Sequence, residues 1–325
     1  MHTYKRLVVV LLGCVIWWGN VCAQTPVIFD TDMGPDYDDV GAIALLHAFA
    51  DSGKVEILGT VASNKYEPVA AVLNVFNTYF RRPGAAIGVP RGKAIDQRDT
   101  QHWTDSVLAK YPHGIRRNDE VPDAVELYRK LLADRADHSV VVITVGFLTN
   151  LSGLLQSGPD RYSSLGGAEL VERKVKRLVC MAGSFPSGRE FNIWRDADAA
   201  RYAFAHWPTE IIFSGFEIGR KIKCGLPIVG NPGILNSPVK DVFRISIPLA
   251  AGDSAGRMSW DETAVLVGVV GAAPYYRLVP GRIVVAGDGS NVWDTNGKGQ
   301  FYLVEDRPFG EVRDLIDRLM QHHPR

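Results

Sequence analysis

"VIFDTDMGPDYDDVGAIALL", residues 27–46, decides how the rest of the chain is read. An apolar run ends in five aspartates within ten residues, Asp30, Asp32, Asp36, Asp38 and Asp39, and a helix-like apolar pattern resumes at Val40. The first part reads as a buried strand and the last as a helix. In open α/β sheets, sites form beyond the carboxyl ends of strands, which is where the aspartates stand. Asp30 and Asp32 are two apart and can point to one side. Gly34 permits a sharp turn and Pro35 fixes its direction. Asp38 and Asp39 open the helix, where the dipole favours negative charge. Capping and turn formation account for one or two such residues. All five together repel one another and require either protonation or a cation. Hard oxygen donors in this number favour Ca2+, with Mg2+ second.

Outward from this stretch, apolar β-rich runs alternate with helical patterns. Strands are expected at 27–31, 55–63, 85–89, 139–146, 177–183 and 210–215, with helices at 37–51, 67–82, 122–136, 196–207 and 309–322. The alternation predicts an α/β fold with a mostly parallel, open, Rossmann-like sheet and helices on both faces. The near-continuous apolar strands agree with burial on both faces. A β-hairpin is expected between 282–286 and 300–304, around "DTNGKG". Residues 90–120 are polar, break the rhythm and read as a long functional loop. Residues 225–257 are also loop-rich.

The chain has 325 residues, 46% of them hydrophobic and 22% charged, enough for a sizeable core without disorder. Lys plus Arg equals Asp plus Glu at 36 each. That balance leaves no electrostatic footprint for nucleic acid or an anionic membrane.

The first residues read as an export signal. Lys5 and Arg6 precede an apolar run, 7–18, that is too short to span a bilayer, and Val21-Cys22-Ala23 resembles a cleavage site. The expectation is a signal peptide over 1–23 and one domain over 24–325, periplasmic or secreted and free of the membrane after cleavage. The lipoprotein reading at "LLGC", 11–14, is weakened by the apolar residues that follow Cys14. The mature chain keeps Cys180 and Cys224, which form neither a disulfide framework nor a zinc site.

"DTDMGPDYDD" resembles the N-terminal signature of the inosine-uridine preferring nucleoside hydrolase family, calcium-dependent nucleoside N-ribohydrolases. The family pattern is Asp-x-Asp-Pro-Gly-x-Asp-Asp. Here Met33 replaces the proline, and two extra residues precede the Asp-Asp pair, so Asp38 and Asp39 align with that pair and Asp36 has no counterpart. Further resemblances follow in order. "ILGTVASN" resembles a strand motif ending in a ribose-binding Asn, here Asn64. "VGFLTN" resembles Gly-Pro-Leu-Thr-Asn, whose Thr carbonyl binds calcium, here Thr149. "MAGSFPSGREFNIWRDADAA" carries Glu190 and Asn192 for the sugar hydroxyls. "SWDETAVL" resembles a late helix start whose Asp completes the calcium shell, here Asp261. Five motifs in order over residues 27–270 are far more specific than one. Singly, Asn64 reads as a turn, Glu190 as a solvated charge, Asn192 as a cap, and Asp261 as a helix N-cap.

The resemblance implies hydrolysis of the N-glycosidic bond of a ribonucleoside. Asp32, Asp39, the Thr149 carbonyl and Asp261 would hold calcium, with Asp32 also the general base and Asp38 and Asn192 gripping the sugar. Asp30 would orient this shell from behind. Many relatives place a His general acid before the late calcium Asp, and here that position is Trp260. An indole supplies no proton, so the reading turns to the family's aromatic-stacking branch, with purine bases favoured and Trp103 or Trp194 as helpers. His102 or His113 is the alternative acid. Family members are usually dimers or tetramers, so a homo-oligomer is expected. Three other functions compete. One is a non-catalytic calcium-dependent nucleoside- or sugar-binding protein, against which Asp32 and Asp38 argue. Another is a hydrolase of a different N- or O-riboside. The third is a haloacid-dehalogenase-like phosphatase, which leaves "DYDD" and "EFNIWRDADAA" unexplained.

Overall fold

A computed structural model describes residues 24–324; the signal-peptide expectation lies outside them. A ten-stranded sheet forms the centre. In chain order the strands are β1 (Thr25–Thr31), β2 (Val55–Ala62), β3 (Ala86–Gly88), β4 (Val140–Thr144), β5 (Val175–Met181), β6 (Ser187–Gly188), β7 (Glu210–Ser214), β8 (Lys223–Cys224), β9 (Arg257–Met258), β10 (Tyr276–Val285), β11 (Asn291–Asp294) and β12 (Gln300–Glu305). The sheet order is β3-β2-β1-β4-β5-β7-β12-β10-β11-β6, and β8 and β9 form a separate two-stranded pair. The stretch from β3 to β12 is parallel throughout, and the last strands are antiparallel. β1 therefore has β2 on one side and β4 on the other, and the chain reverses its direction of winding between β1 and β4. Such a switch opens a crevice at the strands' carboxyl ends.

The helices are α1 (Asp38–Asp51), α2 (Val69–Tyr79), α3 (Trp103–Lys110), α4 (Ala124–Ala133), α5 (Thr149–Gln156), α6 (Gly167–Lys174), α7 (Phe191–Arg195), α8 (Ala197–His206), α9 (Phe216–Gly219), α10 (Leu226–Gly230), α11 (Pro238–Ser246), α12 (Trp260–Val270) and α13 (Phe309–Met320). β1 explains why two cores exist. Val27 and Phe29 face a cluster that includes α1, α2, α12 and α13, whereas Ile28 faces one that includes α4, α5, α6 and α8. α1 and α12 are apolar nearly all round, and both are enclosed rather than amphipathic.

One expectation needs correction and another refinement. Residues 282–285 pair with 291–294 rather than with 300–304, and the hairpin turn lies at 286–290. β12 instead pairs with the first half of the same long strand, 276–281. Residues 90–120 are largely irregular, as expected, but not throughout: they contain α3, whose Trp103 is fully buried near Phe76. Asn118 anchors the stretch by donating to the carbonyls of Lys65 and Tyr66 at 3.1 and 3.0 Å.

Candidate active site

Three chain ends meet at the switch. β1 delivers Asp30, Thr31 and Asp32 at its end, α1 begins with Asp38 and Asp39, and α12 begins with Trp260, Asp261 and Glu262. α1 and α12 pack on each other, so their acidic first turns are held inside the protein. Two positive helix ends offset part of that charge. A cavity of about 200 Å³ opens there. Asp32, Asp36, Asp38, Asp39, Glu190, Asp261, Asn192 and Arg257 line it with polar groups, and Val145, Met181, Phe191, Phe216 and Trp260 form its apolar wall.

The strand-to-helix turn is sterically determined. Gly34 has φ 143°, and a Cβ there would stand 2.6 Å from the Tyr66 ring, so only glycine fits.

Burial first, then the charges of neighbouring carboxylates, push the pKa values of Asp32, Asp39 and Asp261 well above the ordinary carboxylate range. The Thr31 hydroxyl donates to Oδ1 of Asp39, but Oδ2 of Asp39 is buried without a partner. A cation would satisfy an orphaned carboxylate oxygen among like charges. Among the described residues, no three acidic, imidazole or thiol side chains stand close enough to make a ready-formed ion cage. The donor chemistry fits a hard dication, but the side chains are not gathered into a shell.

Asp30 lies outside the cavity and accepts from Tyr128 Oη at 2.9 Å and Asn150 Nδ2 at 3.0 Å. Burial pushes its carboxyl up to about 7. Its carbonyl accepts the Val145 amide at 2.8 Å, which joins the end of β1 to that of β4. Glu190 caps α7, accepting from the amides of Asn192 at 2.7 Å and Ile193 at 3.2 Å, and burial raises its pKa. Asn192 Nδ2 donates to the carbonyls of Val145 and Met181 at 3.1 and 3.2 Å, bonds that leave its Oδ1 unused.

The structure brings Asp32, Asp38, Asp39, Glu190, Asn192, Trp260 and Asp261 to one cavity and leaves out two of the expected residues. Thr149 faces a different surface depression, where its hydroxyl donates to Asp196 at 2.6 Å. It is also the first residue of α5, and a helical carbonyl there points along the helix toward the residue four further on. Val145, whose main-chain carbonyl accepts from Asn192, is the residue at the end of β4 that lines the cavity instead. Asn64 accepts the Gln97 amide at 3.0 Å and donates to the Asp32 carbonyl at 3.3 Å. It ties two loops together and supports Asp32 from outside the cavity.

Trp260 is already engaged. It stacks on Phe216 with centroids 5.3 Å apart, lies under the Arg257 guanidinium at 5.1 Å, and donates Nε1–H to the Phe216 carbonyl at 2.8 Å. Trp103 is buried elsewhere, and Trp194 is 43% exposed outside the cavity. His102 pairs with Asp105 at 3.2 Å and His113 with the Tyr111 carbonyl at 2.9 Å, so neither lines the cavity.

Sequence reasoning missed Arg257. Its Nε and Nη2 donate to Oδ1 of Asp38 at 3.0 and 2.8 Å, and Nη2 lies 2.6 Å from Asp36. The signal available in the sequence was Asp36 itself, an inserted acid with no assigned partner.

The inosine-uridine preferring nucleoside hydrolase family model matches residues 27–252. A search of curated proteins gives no match. Among solved structures, a purine-preferring ribonucleoside hydrolase from Gardnerella vaginalis superposes with a TM-score of 0.71 at 17% identity, covering 91% of this chain and 99% of that one. The inosine-uridine preferring nucleoside hydrolase from Bacillus anthracis superposes with a TM-score of 0.67 at 19% identity, covering 92% and 99%. The type III effector protein XopQ, solved complexed with adenosine diphosphate ribose, gives 0.69 at 14% identity, covering 92% and 94%. At these identities the structural likeness carries the fold; the family match carries more, and by it the chain belongs to the inosine-uridine preferring nucleoside hydrolase family.

Proposed function

We propose that this nucleoside N-ribohydrolase is a Ca2+-dependent enzyme that cleaves purine ribonucleosides to ribose and free base, working in the periplasm or outside the cell after loss of residues 1–23. One observation carries the reading. Buried carboxylates with raised pKa values, one oxygen of Asp39 unpartnered, share a cavity with an aromatic wall.

Asp32, Asp39 and Asp261 would hold the cation, with the Val145 carbonyl in the place expected for Thr149. Such an ion, when bound, acidifies a water and anchors sugar hydroxyls. The protein's own groups do the rest. Asp32 takes the proton of the attacking water. Asp38 keeps Oδ2 for a sugar hydroxyl while Arg257 holds Oδ1. Asn192 presents Oδ1, and Glu190 fixes the start of α7, which carries it. Carboxylates around the ring favour an oxocarbenium-like transition state over the neutral ground state. The wall of Met181, Phe191 and Phe216 displaces water beside the base. The purine preference is supported by this wall and by the absence of imidazole from the cavity lining.

Product analysis over a nucleoside panel, with calcium and with chelator, tests the reading. Ribose release from inosine, adenosine or guanosine, abolished by chelation, is expected. The second reading is a protein that binds a ribose-containing nucleotide without cleaving it. The adenosine diphosphate ribose complex of XopQ and Trp260 at the acid position favour it. Calcium-dependent ligand binding with no sugar release would establish that reading.

A further inference from the structure

We propose that Arg257 serves the departing base, its guanidinium stabilising the negative charge that gathers on the ring nitrogen as the C1′–N bond breaks, so that no proton donor is required. The inference rests on the N-ribohydrolase reading above. Among the described residues, Arg257 is the one basic side chain lining the cavity, and the lining holds no His, Lys, Cys or Tyr. Trp260 offers no hydrogen bond to a base, because its N–H is spent on the Phe216 carbonyl.

The guanidinium is held as a fixed charge. It lies 4.9 Å from the Tyr37 ring and 5.1 Å from the Trp260 ring. Nε and Nη2 are anchored on Asp38, and Nη2 also meets Asp36. Nη1 lies at a longer 3.5 Å from Asp253, whose carboxylate is fixed by the Tyr37 hydroxyl at 2.6 Å. All three nitrogens thus have carboxylate partners, and the residue still lines the cavity, so a base there meets an anchored guanidinium. The residues of the two-residue insertion before the Asp-Asp pair explain the device. Asp36 and Tyr37 supply an ion partner and an aromatic face, on the same cation that Trp260 covers.

The chemistry balances without a general acid. The water oxygen bonds to C1′, its proton passes to Asp32, and the C1′–N electron pair leaves with the base. The base departs as an anion beside a guanidinium that stays charged throughout, and takes its proton from solvent. A preorganised donor aimed at developing charge is worth about 100- to 1000-fold in rate.

The test compares two substrates in one enzyme preparation: inosine, whose base leaves poorly, and 4-nitrophenyl β-D-riboside, whose phenolate leaves unaided. Their rate ratio does not depend on how much of a variant folds. For Arg257→Met, kcat on inosine is expected to fall about 100-fold or more, and on the nitrophenyl riboside less than about tenfold. Arg257→Lys should recover part of the inosine rate. Equal losses on both substrates would overturn the proposal and leave Arg257 as a support for Asp38. A wild-type enzyme that cleaves the nitrophenyl riboside but no purine nucleoside would overturn it while sparing the glycosidase reading. If the wild type cleaves neither, the hydrolase reading fails and this one falls with it.

Discussion

A Cβ placed on Gly146 would stand 2.3 Å from the backbone nitrogen of Asp32. The exit of β4 thus presses directly on the exit of β1, and only a glycine lets Asp32 sit there. Gly146→Ala should therefore destabilise the fold by about 3 kcal/mol, at the upper end for overpacking. Because the backbone of Asp32 is what must move, activity should fall by more than the loss of folded protein explains. Denaturant melts combined with kcat per folded molecule check both parts.

The corrected place of Thr149 gives a contrasting pair. Thr149→Val removes a hydroxyl that donates to Asp196 and should cost about 1 kcal/mol of stability, with no change in calcium affinity. Asp39→Asn should weaken calcium binding by more than about a hundredfold, beyond what losing a supporting residue costs. Titration calorimetry on both variants separates the two roles. A large calcium effect at Thr149 would instead show that the hydroxyl, through Asp196, supports the ion site.

His47 sets an acid limit on stability. It is buried on α1, hydrogen bonds Asn77 at 3.0 Å, and burial pushes its pKa down to about 3 from the ordinary 6.5. The unfolded chain binds a proton below pH 6.5 that the folded chain refuses until about 3. This contribution is fully present above pH 6.5 and is lost as pH falls, by up to about 1.4 kcal/mol per unit. His47→Gln can keep the bond to Asn77 and does not titrate. Its stability should fall less steeply than that of the wild type between roughly pH 6.5 and 4.5, and the difference between the two curves isolates His47. Parallel curves would show that the ring is protonated in place.

Calcium binding should release protons. Asp32, Asp39 and Asp261 all have pKa values raised by burial and mutual charge, so they retain protons above the ordinary carboxylate range, and a cation displaces them. Affinity should keep increasing with pH above the ordinary carboxylate range. Calorimetry in buffers of different ionisation enthalpy measures the release. PH-independent affinity would mean that the carboxylates are already charged in the absence of the ion.

Much of this was legible in the sequence for physical reasons. Parallel strands buried on both faces are written as apolar runs, so β1, β2, β4, β5 and β7 were visible locally. Asp32, Asp38 and Asp39 were visible because they crowd one strand-to-helix joint, and Asp261 because it opens an apolar helix. The hairpin partner was not, because both 286–290 and "DTNGKG" offer turn chemistry and β10 pairs over different halves with β11 and β12. Thr149 was misplaced because the carbonyl that faces a cavity depends on where β4 ends and α5 begins. Arg257 was invisible because its meaning lies in contacts with Asp38, 219 positions away.

The most direct test is ribose release from inosine, adenosine and guanosine by the wild type and by Asp32→Asn, each with calcium and with chelator. The account predicts release only from the calcium-loaded wild type, and a loss of at least about a thousandfold in the variant. Undiminished release by Asp32→Asn, or release that survives chelation, would contradict the assignment of Asp32 and of the acidic cavity as the catalytic centre.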